Sequence, residues 1–176
     1  MKRMLLFAAA VLFSVTVWAQ QSIDADFTQV RHLKVSGKTT DKAGHISFDG
    51  KDQLSMIYSE PEGEFFIVDG NQVKMNLNGK KAELDANKVK LVKLQRATLL
   101  NCLSGNWEQA AIDNNAETTV NEKDGFRNIL IKAKGKVPRG GYSSVDLTYR
   151  LSDGMLVKMI LEEAIGVINT YEMKAR

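Results

Sequence analysis

The residues able to do covalent or metal chemistry are few. The 176-residue chain holds one cysteine and two histidines, so a nucleophile with its base, or a His/Cys metal site, would have to be built from Cys102, His32 and His45. Cys102 sits in Leu99-Leu100-Asn101-Cys102-Leu103, an apolar setting that keeps a thiol protonated and makes it a small hydrophobe rather than a nucleophile. His32 and His45 lie 13 positions apart, with no further His or Cys at ligand spacing. Both are expected as partly exposed strand residues. Glu162-Glu163 is a carboxylate pair, but neighbours on a strand point to opposite faces and cannot meet on one substrate atom. Gly-x-Ser-x-Gly, Gly-x-Gly-x-x-Gly, the phosphate loop and His-Glu-x-x-His are all missing from the sequence. The chemistry left open is binding, with no cofactor and no metal expected, and an enzyme is the least favoured class.

The start of the chain bears on where such binding would happen. Lys2 and Arg3 precede the apolar run Met4 to Val17, and Val17-Trp18-Ala19 ends on a small residue, the layout of a secretory signal cleaved after residue 19. Its 14 positions, apolar but for Ser14 and Thr16, fall short of the roughly 20 that span a bilayer. Cleavage would leave one domain, residues 20–176, in an exported compartment. It also removes two cations, so 24 Lys+Arg against 21 Asp+Glu becomes 22 against 21, too close to neutral for a nucleic-acid-binding surface. With a lone cysteine no internal disulfide can form, and the domain must be stabilised by burial.

The elements that position the side chains are read from turn signals. Asp49-Gly50, Asp69-Gly70, Asn78-Gly79, Asp124-Gly125 and Asp153-Gly154 each offer a tight hairpin the positive φ it needs. Strands are expected over Phe27 to Val35, Gly44 to Phe48, Leu54 to Tyr58, Glu64 to Val68, Gln72 to Leu77 and Lys81 to Leu84. A second set covers Phe126 to Lys134, Ser144 to Leu151, Met155 to Glu163 and Val167 to Ala175. Alternation puts Leu54, Met56 and Tyr58 on one face, Val73, Met75 and Leu77 on one face, and Val145, Leu147, Tyr149 and Leu151 on another. Between the two sets, Ala86 to Leu103 has no Gly or Pro and repeats apolar residues at three and four, which predicts a helix stopped by Ser104-Gly105. Trp107 to Ile112 predicts a short second helix. A third short helix is expected near Ser22, with Asp24 and Asp26 in its first turn. Gly135 to Gly141 reads as a loop made basic by Lys132, Lys134, Lys136 and Arg139; it suits anionic lipid, a protein partner, or solvent alone.

The fold class is therefore mostly β: a strongly curved antiparallel sheet, an incomplete barrel, with helices across its concave side. Met56, Tyr58, Phe66, Val73 and Met75 would face inward beneath Leu99 and Leu103, joined by Leu54, Leu147 and Met159. Such an interior is either a packed core or a lipid-sized pocket, and patterning does not separate the two.

Several segments in order carry a resemblance. Ala25-Asp26-Phe27-Thr28-Gln29, Gly44-His45-Ile46-Ser47-Phe48, Met56-Ile57-Tyr58-Ser59-Glu60-Pro61 and Ile67-Val68-Asp69-Gly70-Asn71-Gln72-Val73, with the Ala97 to Gly105 helix and the closing Leu161 to Tyr171, resemble the LolA family. Those are periplasmic carriers that move lipoproteins from the inner to the outer membrane of Gram-negative bacteria. The resemblance implies a monomer with an apolar cavity under a helical lid. It also implies acylated lipoproteins or lipids as cargo, an inner-membrane release complex as donor and an outer-membrane acceptor. The alternative is a non-catalytic module that uses the same curved sheet to bind a protein. Family members carry an Arg-Pro pair after the aromatic of the second strand, where the Arg helps hold the lid shut. Here Phe48 is followed by Asp49-Gly50-Lys51-Asp52, which makes Lys51 the latch candidate, with a point charge in place of the planar fork.

Overall fold

The computed structural model describes residues 22–176; the expected leader, residues 1–19, lies outside them. In chain order the elements are β1 (Ile23–Leu33), β2 (Thr39–Phe48), β3 (Gln53–Glu60), β4 (Phe65–Asp69), β5 (Gln72–Leu77), β6 (Lys80–Asp85), α1 (Lys90–Leu103), α2 (Trp107–Asp113), β7 (Ala116–Lys123), β8 (Phe126–Ala133), β9 (Tyr142–Arg150), β10 (Leu156–Glu163) and β11 (Val167–Ala175). The strands form one 11-stranded sheet in the order β6-β5-β4-β3-β2-β1-β11-β10-β9-β8-β7. Two meanders build it: β1 to β6 steps outward to one edge, α1 and α2 carry the chain across to the other edge, and β7 to β11 steps back until β11 pairs with β1 (Phe27 opposite Met173).

All five Asn/Asp-Gly pairs fall at hairpin turns. Asn78 and Gly79 (φ 53° and 74°) and Asp124 and Gly125 (φ 53° and 82°) both take the left-handed conformation, the I′ geometry whose twist matches that of the flanking strands. Strand twist accumulated over so many strands curls the sheet, and both helices pack into the concave side. One glycine permits the curl. A Cβ on Gly44 would lie 2.3 Å from the Ile57 carbonyl oxygen and 2.9 Å from the Phe27 ring, at the irregular step where β2 meets β3.

The helix that crosses the sheet stops at Ser104-Gly105. The Asn106 N–H donates to the Asn101 carbonyl (2.8 Å) and the Gly105 N–H to Cys102 (3.4 Å), the paired bonds of a Schellman cap with glycine at φ 81°. Only its C-terminal half is fully buried, through Thr98, Leu99, Leu100, Cys102 and Leu103. Asn114 Nδ2, just past α2, donates to Thr98 Oγ1 (2.7 Å) and locks the two helices together.

Four expectations are corrected. The segment from Ser22 is not a helix: Ile23, Ala25 and Phe27 alternate inward as the start of β1, while Asp24 and Asp26 face out and hold His45, and Asp26 also Arg176. Their charges serve cross-strand pairs, not a helix start. β7 escaped the sequence reading because Ala-Glu-Thr-Thr-Val-Asn-Glu-Lys is an edge strand exposed along nearly its whole length, so no apolar alternation marks it. The first helix begins at Lys90 rather than Ala86, which is buried where β6 ends. Leu151 leaves the face it was expected to share with Val145, Leu147 and Tyr149, because β9 ends one residue earlier and Leu151 turns outward.

Candidate functional site

Because every strand runs antiparallel to its neighbours, the sheet has two distinct ends. Residues 34–38, 61–64, 78–79, 134–141 and 164–166 connect strands at one, and 49–52, 70–71, 124–125 and 151–155 at the other. Near the second end the concave face is filled. Ile23, Phe48, Leu54, Ile129, Leu147, Leu156 and Met159 pack against Leu100, Cys102 and Leu103 of α1 and Ala110 and Ala111 of α2. Near the first end the same face encloses a cavity of about 310 Å³ beneath Val92, Gln95, Arg96 and Leu99 of α1.

The cavity divides the residues singled out in the sequence. Met56, Tyr58, Phe66, Val73, Met75 and Leu99 line it. Leu54, Leu103, Leu147 and Met159 lie in the filled part, almost wholly out of solvent. Lys51 is exposed in the β2–β3 turn, where its backbone N–H donates to Asp49 Oδ1 (2.8 Å); its side chain makes no hydrogen bond or ion pair among the described residues. Two other side chains tie the helix down. Arg96 Nε donates to the Gly70 carbonyl (2.5 Å) and Gln95 Nε2 to the Gly140 carbonyl (2.6 Å), so α1 is held to the β4–β5 turn on one side and to the β8–β9 loop on the other. The cation sits on the helix and the carbonyl on the sheet.

Patterning missed the polar part of the lining. Gln29, Arg31, Lys42, Gln95, Glu163 and Asn169 all face the cavity. Strand parity held the signal, since Gln29 and Arg31 continue the inward series Ile23, Ala25, Phe27. Tyr58 Oη donates to Gln29 Oε1 (2.8 Å) and Gln29 Nε2 to Asn169 Oδ1 (2.9 Å), a relay that satisfies the buried amide and aligns three strands. Lys42, only 5% exposed, pairs with Glu64, donates to Asn78 Oδ1 (3.0 Å) and stands 5.4 Å from the centre of the Tyr58 ring. A buried ammonium is tolerated only with such partners.

Burial governs the titrations. Desolvation holds the Tyr58 and Tyr142 phenols above their ordinary range and pushes Tyr171 up to about 12. Desolvation likewise raises the Glu163 carboxyl, with Arg31 opposing. Burial pushes the Cys102 thiol up to about 12, which fits a core role. Glu162 and Glu163 do face opposite ways: Glu162 pairs with Lys34 on the outer face (2.5 Å), while Glu163 lines the cavity. Nothing here converges on a reacting atom, and among the described residues no His/Cys/Asp/Glu cluster is arranged to hold a metal ion.

A larger hollow of about 1320 Å³ lies on the opposite face of the sheet, reaching from Ile57 to Phe126. A strongly twisted sheet is saddle-shaped and concave along a diagonal on either face. Among the described residues no helix residue lines this hollow, and part of its charge is paired across strands: Lys158 with Glu172 (3.1 Å) and Arg176 with Asp26 (2.9 Å), with the His45 ring between Asp24 (3.1 Å) and Asp26 (3.3 Å). The covered cavity is the better container.

Comparison with solved structures gives distant likenesses. A LolA superfamily protein from Nitrosomonas europaea aligns at 11% identity and a TM-score of 0.40, over 89% of this chain and 87% of that one. A putative outer membrane lipoprotein-sorting protein domain from Vibrio parahaemolyticus aligns at 9% identity and 0.36, over 89% and 84%. MucB, in its complex with MucA from Pseudomonas aeruginosa, aligns at 11% and 0.46 over 88% of this chain and 50% of that one. Among curated proteins the sequence finds no match. The family model described as outer membrane lipoprotein carrier protein LolA matches residues 19–175, which spans every strand and both helices, and the chain belongs to the LolA family.

Proposed function

We propose that this protein is a non-catalytic periplasmic carrier that takes the acyl chains of lipoproteins or lipids into the cavity between the sheet and α1 and shuttles them toward the outer membrane. The observation that carries this reading is the hollow half of the concave face, about 310 Å³ walled by Met56, Phe66, Val73, Met75 and Leu99, in a molecule whose other half is packed. A space of that size is near the lower bound of ligand pockets, roughly 300 Å³. With a methylene displacing about as much volume as a water molecule, about 30 Å³, it suits one acyl chain of about ten methylenes. At about 0.8 kcal/mol per buried methylene that is roughly 8 kcal/mol of gross stabilisation, before the costs of association. Cargo with further chains requires α1 to lift from Gly70 and Gly140. Release needs no covalent step, only an acceptor that binds the acyl chains more tightly.

The test is binding of an N-palmitoylated peptide, followed by native mass spectrometry and by displacement of a fluorescent fatty acid. One acyl chain per protein is expected, and Met75→Asp, at the floor of the cavity, should weaken it at least tenfold while the protein stays folded. Failure to bind any acyl chain overturns the carrier reading. The module that binds a protein partner is the second reading, favoured by the uncovered hollow on the opposite face. It would be supported by a partner whose binding survives Met75→Asp and is lost on Ile57→Asp, since Ile57 is 47% exposed in that hollow.

A further inference from the structure

The two ends of the sheet carry opposite charge, and the cationic end is the one the cavity reaches. Residues 34–38, 134–141 and 164–166 hold Lys34, Lys38, Lys134, Lys136 and Arg139 and no acidic residue. At the far end, residues 49–52, 70–71, 124–125 and 151–155 hold Asp49, Asp52, Asp124 and Asp153 against the single cation Lys51. The three basic segments are fastened into one rim. The Lys34 N–H donates to the Gly166 carbonyl (2.9 Å) and the Ala164 N–H to the Gly141 carbonyl (2.9 Å). Lys34 pairs with Glu162; Lys38, Lys134, Lys136 and Arg139 are exposed and have no ion-pair partner among the described residues.

Apolar side chains stand among these cations where burial does not account for them. Val35, at the tip of the β1–β2 hairpin between Lys34 and Lys38, is 92% exposed, and Ile165 in the adjoining turn is 43% exposed. A solvated turn gains nothing from a fully exposed valine. Aliphatic tips set among cations match the interface of an anionic bilayer, where the charges meet phosphates and the aliphatic groups leave water. The cavity opens toward the same rim: Glu163, the last residue of β10, and Arg31, near the end of β1, line it, two residues before Ile165 and three before Lys34. The remaining segment at this end, residues 61–64, carries Glu62 and Glu64, so contact with an anionic surface would tilt the basic side toward it.

We infer that the rim formed by residues 34–38, 134–141 and 164–166 docks on an anionic lipid bilayer, with Val35 and Ile165 seated among the headgroups and the cavity turned toward the membrane. This goes beyond the carrier reading, since a carrier could exchange cargo through protein contacts alone.

The test is co-sedimentation of the exported protein with vesicles of phosphatidylglycerol and phosphatidylethanolamine, against vesicles of phosphatidylcholine alone. Partitioning onto the anionic vesicles should be stronger and should weaken as salt screens the cations. A basic residue at such a surface is worth about fivefold in partitioning, so Lys38→Gln, Lys136→Gln and Arg139→Gln together should reduce it about a hundredfold. Val35→Ser should reduce it several-fold and leave the salt dependence unchanged. Because all four side chains are exposed, these variants should fold normally and still bind a palmitoylated peptide free in solution. That separates failure here from failure of the carrier reading. Equal partitioning onto both vesicle types, or anionic binding that the triple variant retains, overturns the inference.

Discussion

Along β1 the inward residues run Ile23, Ala25, Phe27 and then Gln29 and Arg31; along β10 they run Leu156, Met159 and then Leu161 and Glu163; along β11, read backward, Met173 gives way to Tyr171 and Asn169. Each of these three strands is thus apolar where it faces the filled half of the concave side and, Leu161 apart, polar or aromatic where it faces the hollow half. If the cavity were merely imperfect packing, its walls would be the same aliphatic mixture as the core. Instead the wall is graded, with a methionine and aliphatic floor, three tyrosines, and amide and charged groups near the rim. Hydrogen bonds across strands hold the hollow half open: Tyr58 to Gln29 to Asn169, and Lys42 to Glu64 and Asn78. Filling by large side chains holds the other half shut.

The sharpest way to break this comparison is to delete the same kind of side chain from each half. Leu147 is fully buried under the helices, so Leu147→Ala should cost about 3 kcal/mol through lost burial and a new void. Met75→Ala, facing space that already exists, should cost about 1 kcal/mol or less, because no new cavity is made. Urea unfolding of both variants reads the difference. Equal losses would mean that the cavity is collapsed in solution and the two halves are one core.

The hairpins and the inward face of the sheet were much the easier to read from the sequence. The five turn pairs located the hairpins, and alternation in Leu54-Ser55-Met56-Ile57-Tyr58 and Ser144 to Tyr149 gave the inward face, since burial on one side writes itself as period two. Where both sides of a strand are wet, as in β7, or where outward acids precede the first aromatic, as at Asp24 and Asp26, that signal fades. The site was half legible for a related reason. Apolar lining residues such as Met56, Val73 and Met75 alternate as core residues do, so patterning turned them inward without separating a pocket from a packed interior. Polar lining residues such as Gln29, Arg31 and Glu163 look like surface, and only their parity with buried neighbours marks them. The tie between helix and sheet was not legible at all: Arg96 meets a backbone carbonyl 26 residues away, and a carbonyl has no side-chain identity to betray it.

That tie is the next place to press. Arg96→Met keeps the length of the stem and removes the charged donor to Gly70. Such a bond is worth about 1.5 kcal/mol, so opening of the first turns of α1 should become about tenfold more frequent. Hydrogen exchange should rise by that factor at the start of α1 and stay unchanged in α2, which is held by Asn114 and by burial of Ala110 and Ala111. Uptake of an acylated peptide should quicken in parallel if lifting the helix limits entry. Uniform acceleration through both helices would show that they move as one body and that the division between the halves does not extend to the lid.

The smallest effect tests whether the hollow half is tuned by charge. Glu163 stands where the cavity meets the rim, and desolvation raises its pKa above the ordinary 4.5 while Arg31 pulls the other way. With the folded value above the unfolded one, the folded protein holds more protons across that window, and stability falls as pH rises through it. At neutral pH the penalty is fully present. Glu163→Gln should therefore flatten the pH dependence of stability just above 4.5 and leave the protein slightly more stable at neutral pH. Asp146 is also raised by burial, with Lys158 opposing; it is unchanged in the variant, so the difference between the two pH curves isolates Glu163. An acyl chain in the cavity displaces water from this carboxylate and deepens its desolvation, so the gap between the curves should widen when palmitoylated peptide is bound. A gap that ligand leaves unaltered would place Glu163 outside the occupied space and confine the site to the methionine floor.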